Sequence, residues 1–218
     1  MVIKYVFFDI DNTLFPTREF AELARKNAIR AMIEMGLPID SIRLYEQLLL
    51  IIKKHGSNDS RHFNLLLEEL KIKQPARYIA AAVAAYHNAK ASILPYPDVP
   101  RTLLSLRESG YVLYVATNGT AIKQWDKLIR LGIHHYFKEV FVSEEVGMEK
   151  NPAFFKRITQ QLSILPGESI MIGDTEKSDI LPAKEIGMKT LYIQRYEGKI
   201  RKGTITDFSH LLDILKNI

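Results

Sequence analysis

The chain has 218 residues and no cysteine. Disulfides, thiolate metal ligands and a cysteine nucleophile are therefore excluded. No stretch approaches the roughly 18 apolar residues that a membrane span needs. The apolar N-terminus is soon interrupted by acids and is too short for a signal peptide. A cytoplasmic protein with no membrane partner is the expectation. A dense Lys/Arg tract is also missing, and the formal charge is only +5. No nucleic-acid partner is expected, although the mild excess favours anionic substrates. No internal repeat or low-complexity tract interrupts the chain. With 47% hydrophobic and 25% charged residues, it has enough apolar side chains for one large or two modest domains.

The stretch that organises the rest is Val2-Ile3-Lys4-Tyr5-Val6-Phe7-Phe8-Asp9-Ile10-Asp11-Asn12-Thr13. A nearly unbroken apolar run of strand length reads as a fully buried parallel strand. Two carboxylates end it, where an open α/β sheet places its ligands. Strand alternation aims Asp9 and Asp11 the same way. Two acids on one face repel, so a positive partner is expected, most simply a hard cation such as Mg²⁺. Taken alone, the same residues also describe a strand ending in a turn.

From Thr17 to about Lys90 the pattern is helical. One helix runs from Thr17, which reads as a cap, to Met35 before Gly36. A second spans Asp40 to Lys54. Its run Leu48-Leu49-Leu50-Ile51-Ile52 is apolar all round, so burial on more than one side is expected, or an interface in a monomer-or-homodimer choice the sequence leaves open. A third, capped by Asn58 or Asp59, reaches Leu70, and a fourth begins at Pro75. Pro95-Tyr96-Pro97-Asp98-Val99-Pro100 marks a boundary. Beyond it, strands at Tyr111–Thr117, Glu139–Ser143, Ser169–Gly173 and Thr190–Ile193 alternate with helices. Such alternation implies right-handed crossovers and a parallel sheet. The first strand belongs to that sheet, so the helical segment is an insertion. The expected fold is α/β, a Rossmann-like parallel-sheet core (1–14 and 96–218) with an inserted α-helical cap domain (15–95).

The strand ends carry the chemistry. They are Asp9 with Asp11, then Thr117-Asn118-Gly119, then Lys150 in a loop, then Gly173-Asp174 followed by Asp179. In a parallel sheet these ends share one edge. The set suits phosphoryl transfer through an aspartyl phosphate. Asp9 is the expected nucleophile, and Asp11 the acid for the leaving oxygen and then the base for water. Thr117 and Asn118 would donate to phosphoryl oxygens, and Lys150 would neutralise charge. Asp174 would complete a Mg²⁺ site with Asp9, supported by Asp179.

In these residues the chain resembles the haloacid dehalogenase-like hydrolase superfamily, in its branch with an α-helical cap after the first motif. Asp9-Ile10-Asp11-Asn12-Thr13 is similar to the first motif, Thr117-Asn118-Gly119 to the second, Lys150 to the third, and Gly173-Asp174 with Asp179 to the fourth. The resemblance implies that the main-chain carbonyl of Asp11 also ligates Mg²⁺. It also implies that the first strand is central in the sheet. Two departures stand out. Asn12 occupies a position where the family commonly has Gly. Lys150-Asn151-Pro152 is one residue shorter than the family's usual Lys-Pro-x-Pro, which leaves Lys177 as a competitor for the role of Lys150. A Mg²⁺-dependent phosphatase of a small phosphorylated metabolite is the leading reading. A 2-haloacid dehalogenase is the alternative, disfavoured by Asp11, since a departing halide needs no proton. A non-enzymatic phospho-signalling or binding protein is the alternative of another class. His55, Arg61 and His62 flank an interruption in the helical segment and are candidates for substrate specificity, with plain helix surface as the ordinary reading.

Overall fold

A computed structural model describes residues 2–57, 59–196, 198 and 203–218; Asn58, one of the two expected caps, lies outside the described residues. The chain forms two compact units, Met1–Thr17 with Leu94–Ile218, and Arg18–Ile93.

In the first unit, β1 (Tyr5–Phe8), β2 (Val112–Thr117), β3 (Glu139–Val142), β4 (Ser169–Gly173), β5 (Lys189–Ile193) and β6 (Thr204–Ile205) are the strands among the described residues. They form one sheet of order β3-β2-β1-β4-β5-β6, parallel throughout. β1 is thus flanked on both sides, which is why its sequence is apolar on both faces. Its register pairs Phe8 with Val115 of β2 and with Ile172 of β4. The chain order reverses around β1, the switch point at which such sheets open a crevice beyond their carboxyl ends.

Alternate residues feed two cores. Phe7 stacks on Tyr114 with ring centroids 4.9 Å apart. Both join Phe141, Met171 and the inward residues Phe154, Phe155 and Ile158 of a helix at Pro152–Gln161. On the opposite face Phe8 meets Phe208 edge to face at 5.6 Å. The helices Val99–Glu108 and Leu211–Lys216 bury Leu103, Leu106, Leu211 and Leu215. Truncating a fully buried phenylalanine in such a core costs about 3–5 kcal/mol.

The second unit holds the helices α1 (Thr17–Glu34, whose first residue belongs to the first unit), α2 (Ser41–His55), α3 (His62–Glu69) and α4 (Ala76–Lys90). Their shared core is built by Ala28, Met32, Leu44, Leu48, Ile51, Leu66, Leu67, Tyr78 and Ala82. Asp40 caps α2, accepting from the Ile42 and Arg43 amides at 3.0 Å each.

Several local expectations are corrected. Thr17 is the first helical residue rather than a cap, and its hydroxyl bonds elsewhere. Asp59 accepts from the Arg61 amide one turn ahead of α3 and caps no helix. Within α2, Leu48 and Ile51 are buried, but Leu49 and Leu50 are 40% and 65% exposed. One face of a 3.6-residue period meets this unit's core, and the extra leucines fall off it. The final helix runs over Leu211–Lys216. Before Leu181–Glu185 the chain makes a wide π turn at Glu176–Ile180, and Pro182 sits in the first turn that follows.

Candidate active site

The parallel sheet brings the ends of β1, β2 and β4 side by side. Asp9 continues β1, its amide bonding the Ile172 carbonyl at 3.0 Å. The chain then turns tightly, with the amides of Thr13, Leu14 and Phe15 all returning to the Ile10 carbonyl. Asn12 takes a φ of +56° in this turn. That left-handed conformation suits glycine, and asparagine among the residues with a side chain. The asparagine also adds a contact, since its Nδ2 donates to Asp174 Oδ2 at 3.2 Å.

Lys150 lies at the centre of the buried charges. Its ammonium bonds Asp9 Oδ1 at 2.6 Å, the Ala116 carbonyl at 3.3 Å, and Asp179 Oδ1. Its own amide donates to Asn118 Oδ1 at 2.8 Å. The following Asn151 caps the Pro152 helix through the Phe154 amide at 2.9 Å. The lysine is thus fixed from both sides of its backbone despite the shortened motif. Lys177 is exposed.

Asp179 is fully buried and also accepts from the Thr175 amide at 2.9 Å. Only glycine fits at position 173, since an added Cβ would lie 2.4 Å from Asp179 Oδ2. Asp174 accepts from the Thr175 hydroxyl at 2.9 Å. Thr117 ends β2 buried, its hydroxyl 3.4 Å from the Asn118 carbonyl.

Burial pushes the Asp9 carboxyl up to about 7, against the pull of Lys150, with Asp179 and Asp11 adding to the rise. Burial opposes the Lys150 ammonium too, but Asp9 and Asp179 outweigh it and hold its pKa above the ordinary value. Asp9, Asp174 and Asp179 each bring a carboxylate oxygen within 4.8 Å of the others. Three buried acids thus face one ammonium. A divalent cation with oxygen preference fits this donor set, because it supplies the missing positive charge.

Asp11 has different surroundings. Its Oδ1 accepts from Lys127 Nζ and from the Thr17 hydroxyl, both at 2.5 Å. Its Oδ2 accepts from Gln124 Nε2 at 3.3 Å. Burial would raise its pKa, but the Lys127 charge and these three hydrogen bonds outweigh that and hold it below the ordinary carboxylate range.

Sequence reasoning missed Gln124 and Lys127. They lie on the helix α6 (Ala121–Arg130) that follows β2, and a lysine in an amphipathic helix gives no signal of its own. The only available clue was topological: the helix after β2 starts beside the end of β1. Two of the three residues expected to set specificity, Arg61 and His62, are engaged within the second unit. Arg61 forks onto Asp59 at 3.1 and 2.9 Å, His62 Nε2 lies 2.7 Å from the Gly56 carbonyl, and His55 is the exposed last residue of α2.

The haloacid dehalogenase-like hydrolase pattern matches residues 3–187. The chain belongs to this family. It is 50% identical over 198 residues to a glyceraldehyde 3-phosphate phosphatase of Methanopyrus kandleri, covering 89% of this chain and 85% of that protein. A glyceraldehyde 3-phosphate phosphatase of Methanocaldococcus jannaschii is 40% identical over 225 residues, covering 100% and 99%. Among solved structures, a haloacid dehalogenase-like phosphatase from Thermococcus onnurineus superposes with a TM-score of 0.71 at 26% identity, covering 98% of both chains. The chain is thus a phosphatase of the haloacid dehalogenase-like family, with the Rossmann-like parallel sheet the sequence led us to expect. Among the described residues, no helix is long and apolar enough to cross a membrane.

Proposed function

We propose that the protein is a Mg²⁺-dependent phosphatase that hydrolyses a small phosphorylated metabolite, of the size and type of glyceraldehyde 3-phosphate, through a phosphate ester on Asp9. One observation carries this reading. A buried carboxylate is held 2.6 Å from a buried ammonium, and a second carboxylate stands two residues further on. The relatives named above support the substrate class.

Asp9 attacks phosphorus while Asp11 gives a proton to the leaving ester oxygen. Asp11 then takes a proton from the water that attacks the phospho-aspartate. Lys150 holds Asp9 in place and faces the charge that develops on the phosphoryl oxygens. Thr117 and Asn118, at the end of β2, bind those oxygens. Asp9, Asp174 and the main-chain carbonyl of Asp11 would hold the Mg²⁺, with Asp179 in support. When bound, the ion would offset the phosphoryl charge and keep Asp9 ionised. The helical unit acts as a cap that excludes water and selects the substrate, with His55, Arg61 and His62 as candidates for that selection.

The presence of Asp11 speaks against the dehalogenase, for which no acid is needed at that position. The test is turnover of glyceraldehyde 3-phosphate against a panel of sugar phosphates, phosphoglycolate and nucleotides, with and without chelator. Mg²⁺-dependent release of phosphate, fastest from a three-carbon phosphate, is expected. Full activity in excess chelator would overturn the metal assignment. Chloride release from 2-chloropropionate faster than any phosphate release would overturn the reaction class.

A further inference from the structure

We propose that Lys127 and Gln124 are positioning residues for Asp11, and that they determine which of its two oxygens transfers the proton. This rests on the acid–base role given to Asp11 above. The two residues stand three positions apart on α6, and so share a face. The Lys127 side chain is only 21% exposed, and its ammonium turns in to Asp11 Oδ1 at 2.5 Å. A lysine on an exposed helix face ordinarily sends its head to water. The Thr17 hydroxyl bonds the same oxygen at 2.5 Å. Gln124 is buried, donates to the Asn118 carbonyl at 2.6 Å, and makes only a long 3.3 Å contact with Asp11 Oδ2.

The asymmetry has a consequence for the chemistry. Oδ1 is held by two short bonds, and Oδ2 by one long one. Oδ2 is therefore the oxygen free to act. In the first step Oδ2, having taken up a proton from solvent because the Lys127 pair favours the carboxylate, passes it to the ester oxygen as that oxygen's bond to phosphorus breaks and the bond from Asp9 to phosphorus forms. In the second, Oδ2 takes a proton from water as the water oxygen bonds phosphorus and the Asp9 bond breaks. Asp11 lies past the end of β1 in an isolated backbone bridge to Phe15, which leaves its carboxylate to be aimed by side-chain partners. Gly119 belongs to the same device. Its φ is +130°, and an added Cβ would lie 2.8 Å from Gln124 Nε2. The glycine of Thr117-Asn118-Gly119 is thus what lets Gln124 reach across the strand end.

The test is steady-state kinetics of Lys127→Met, Asp11→Asn and the double variant, each with an alkyl and an aryl phosphate. Methionine keeps the length of the stem, and circular dichroism with a thermal melt checks that the fold is retained. Lys127→Met should lower kcat on the alkyl phosphate by about 10–100-fold, as for a misaligned reacting group, with KM within about twofold. The loss should be smaller with the aryl phosphate, whose leaving group departs without a proton. In the Asp11→Asn background, removing Lys127 should cost nothing further, because the two act as one unit. A parental kcat for Lys127→Met, or an equal loss in both backgrounds, would overturn the proposal while leaving the role of Asp11 intact. A parental rate for Asp11→Asn alone would overturn the acid–base reading and this proposal with it.

Discussion

The two units place their polar side chains in opposite ways. In the α/β unit Asp9, Lys150 and Asp179 are buried and bonded to each other across long stretches of chain. Lys150 reaches Asp9 over 141 positions and Asp179 over 29. In the helical unit Arg61 is exposed and His62 half-buried, and each bonds a near neighbour, as Arg61 does with Asp59 two positions away. A buried charge must have a partner, so the fold itself dictates its position. An exposed pair in high dielectric is worth little and commits the chain to nothing. The proposed chemistry would thus rest on the buried α/β framework, and the proposed selectivity on a surface that can vary cheaply.

Substitutions in the two units should differ accordingly. The largest effect is expected from Asp9→Asn, which should abolish turnover while far-UV circular dichroism stays native. Lys150→Ala comes next. It should cost roughly two to three orders of magnitude in kcat, as for other lost electrostatic stabilisers. It should also destabilise the fold by about 3–5 kcal/mol, because two buried carboxylates lose their counter-charge. Lys177→Ala should be close to silent in the same assays, and the reverse result would reassign the third motif. Gly173→Ala should cost about 1–3 kcal/mol in denaturant unfolding, since the new Cβ meets the Asp179 carboxylate. Arg61→Ala should leave the melting temperature unchanged. A clear drop would show that the helical unit is less permissive than its exposed pairs imply.

The same comparison makes a prediction about pH. Asp9 has a folded pKa raised to about 7. Between the ordinary carboxylate value and that one, the folded protein holds a proton that the unfolded chain has released. Stability of the metal-free protein should therefore fall as pH rises from about 4 to about 7. Asp11, with its pKa held low, acts in a separate, more acidic window, where its stabilisation is lost as the pH falls. Thermal melts should accordingly show Mg²⁺ stabilising the protein more at pH 8 than at pH 5. Equal stabilisation at both would contradict a cation bound against Asp9.

Much of this was legible in the sequence, for a physical reason. β4 occupies the segment expected for it, because a buried parallel strand is a continuous apolar run with little else it can be. The approach of Asp9, Lys150 and Asp179 to one another was foreshadowed by strand order, which puts their strand ends on one edge; the Asn12 contact with Asp174 was not. What was not legible depended on side-chain direction or on marginal elements. The inward turn of Lys127 leaves no trace in a helical pattern. β6 is two residues long and carries no periodicity. The π turn at Glu176–Ile180 accompanies the return of Asp179 to the Thr175 amide, a contact no sequence period encodes. The leucines of α2 suggested burial all round, but composition does not reveal how many neighbours a helix has.

The central claim is that phosphate passes through Asp9. Rapid-quench mass spectrometry of Asp11→Asn with an aryl phosphate tests it most directly. Formation needs no proton for that leaving group, whereas breakdown needs the base, so the intermediate should accumulate. A phosphate located on Asp9 within the first turnover is the predicted result. Turnover with no phosphorylated protein, or with the phosphate on any other residue, would contradict it.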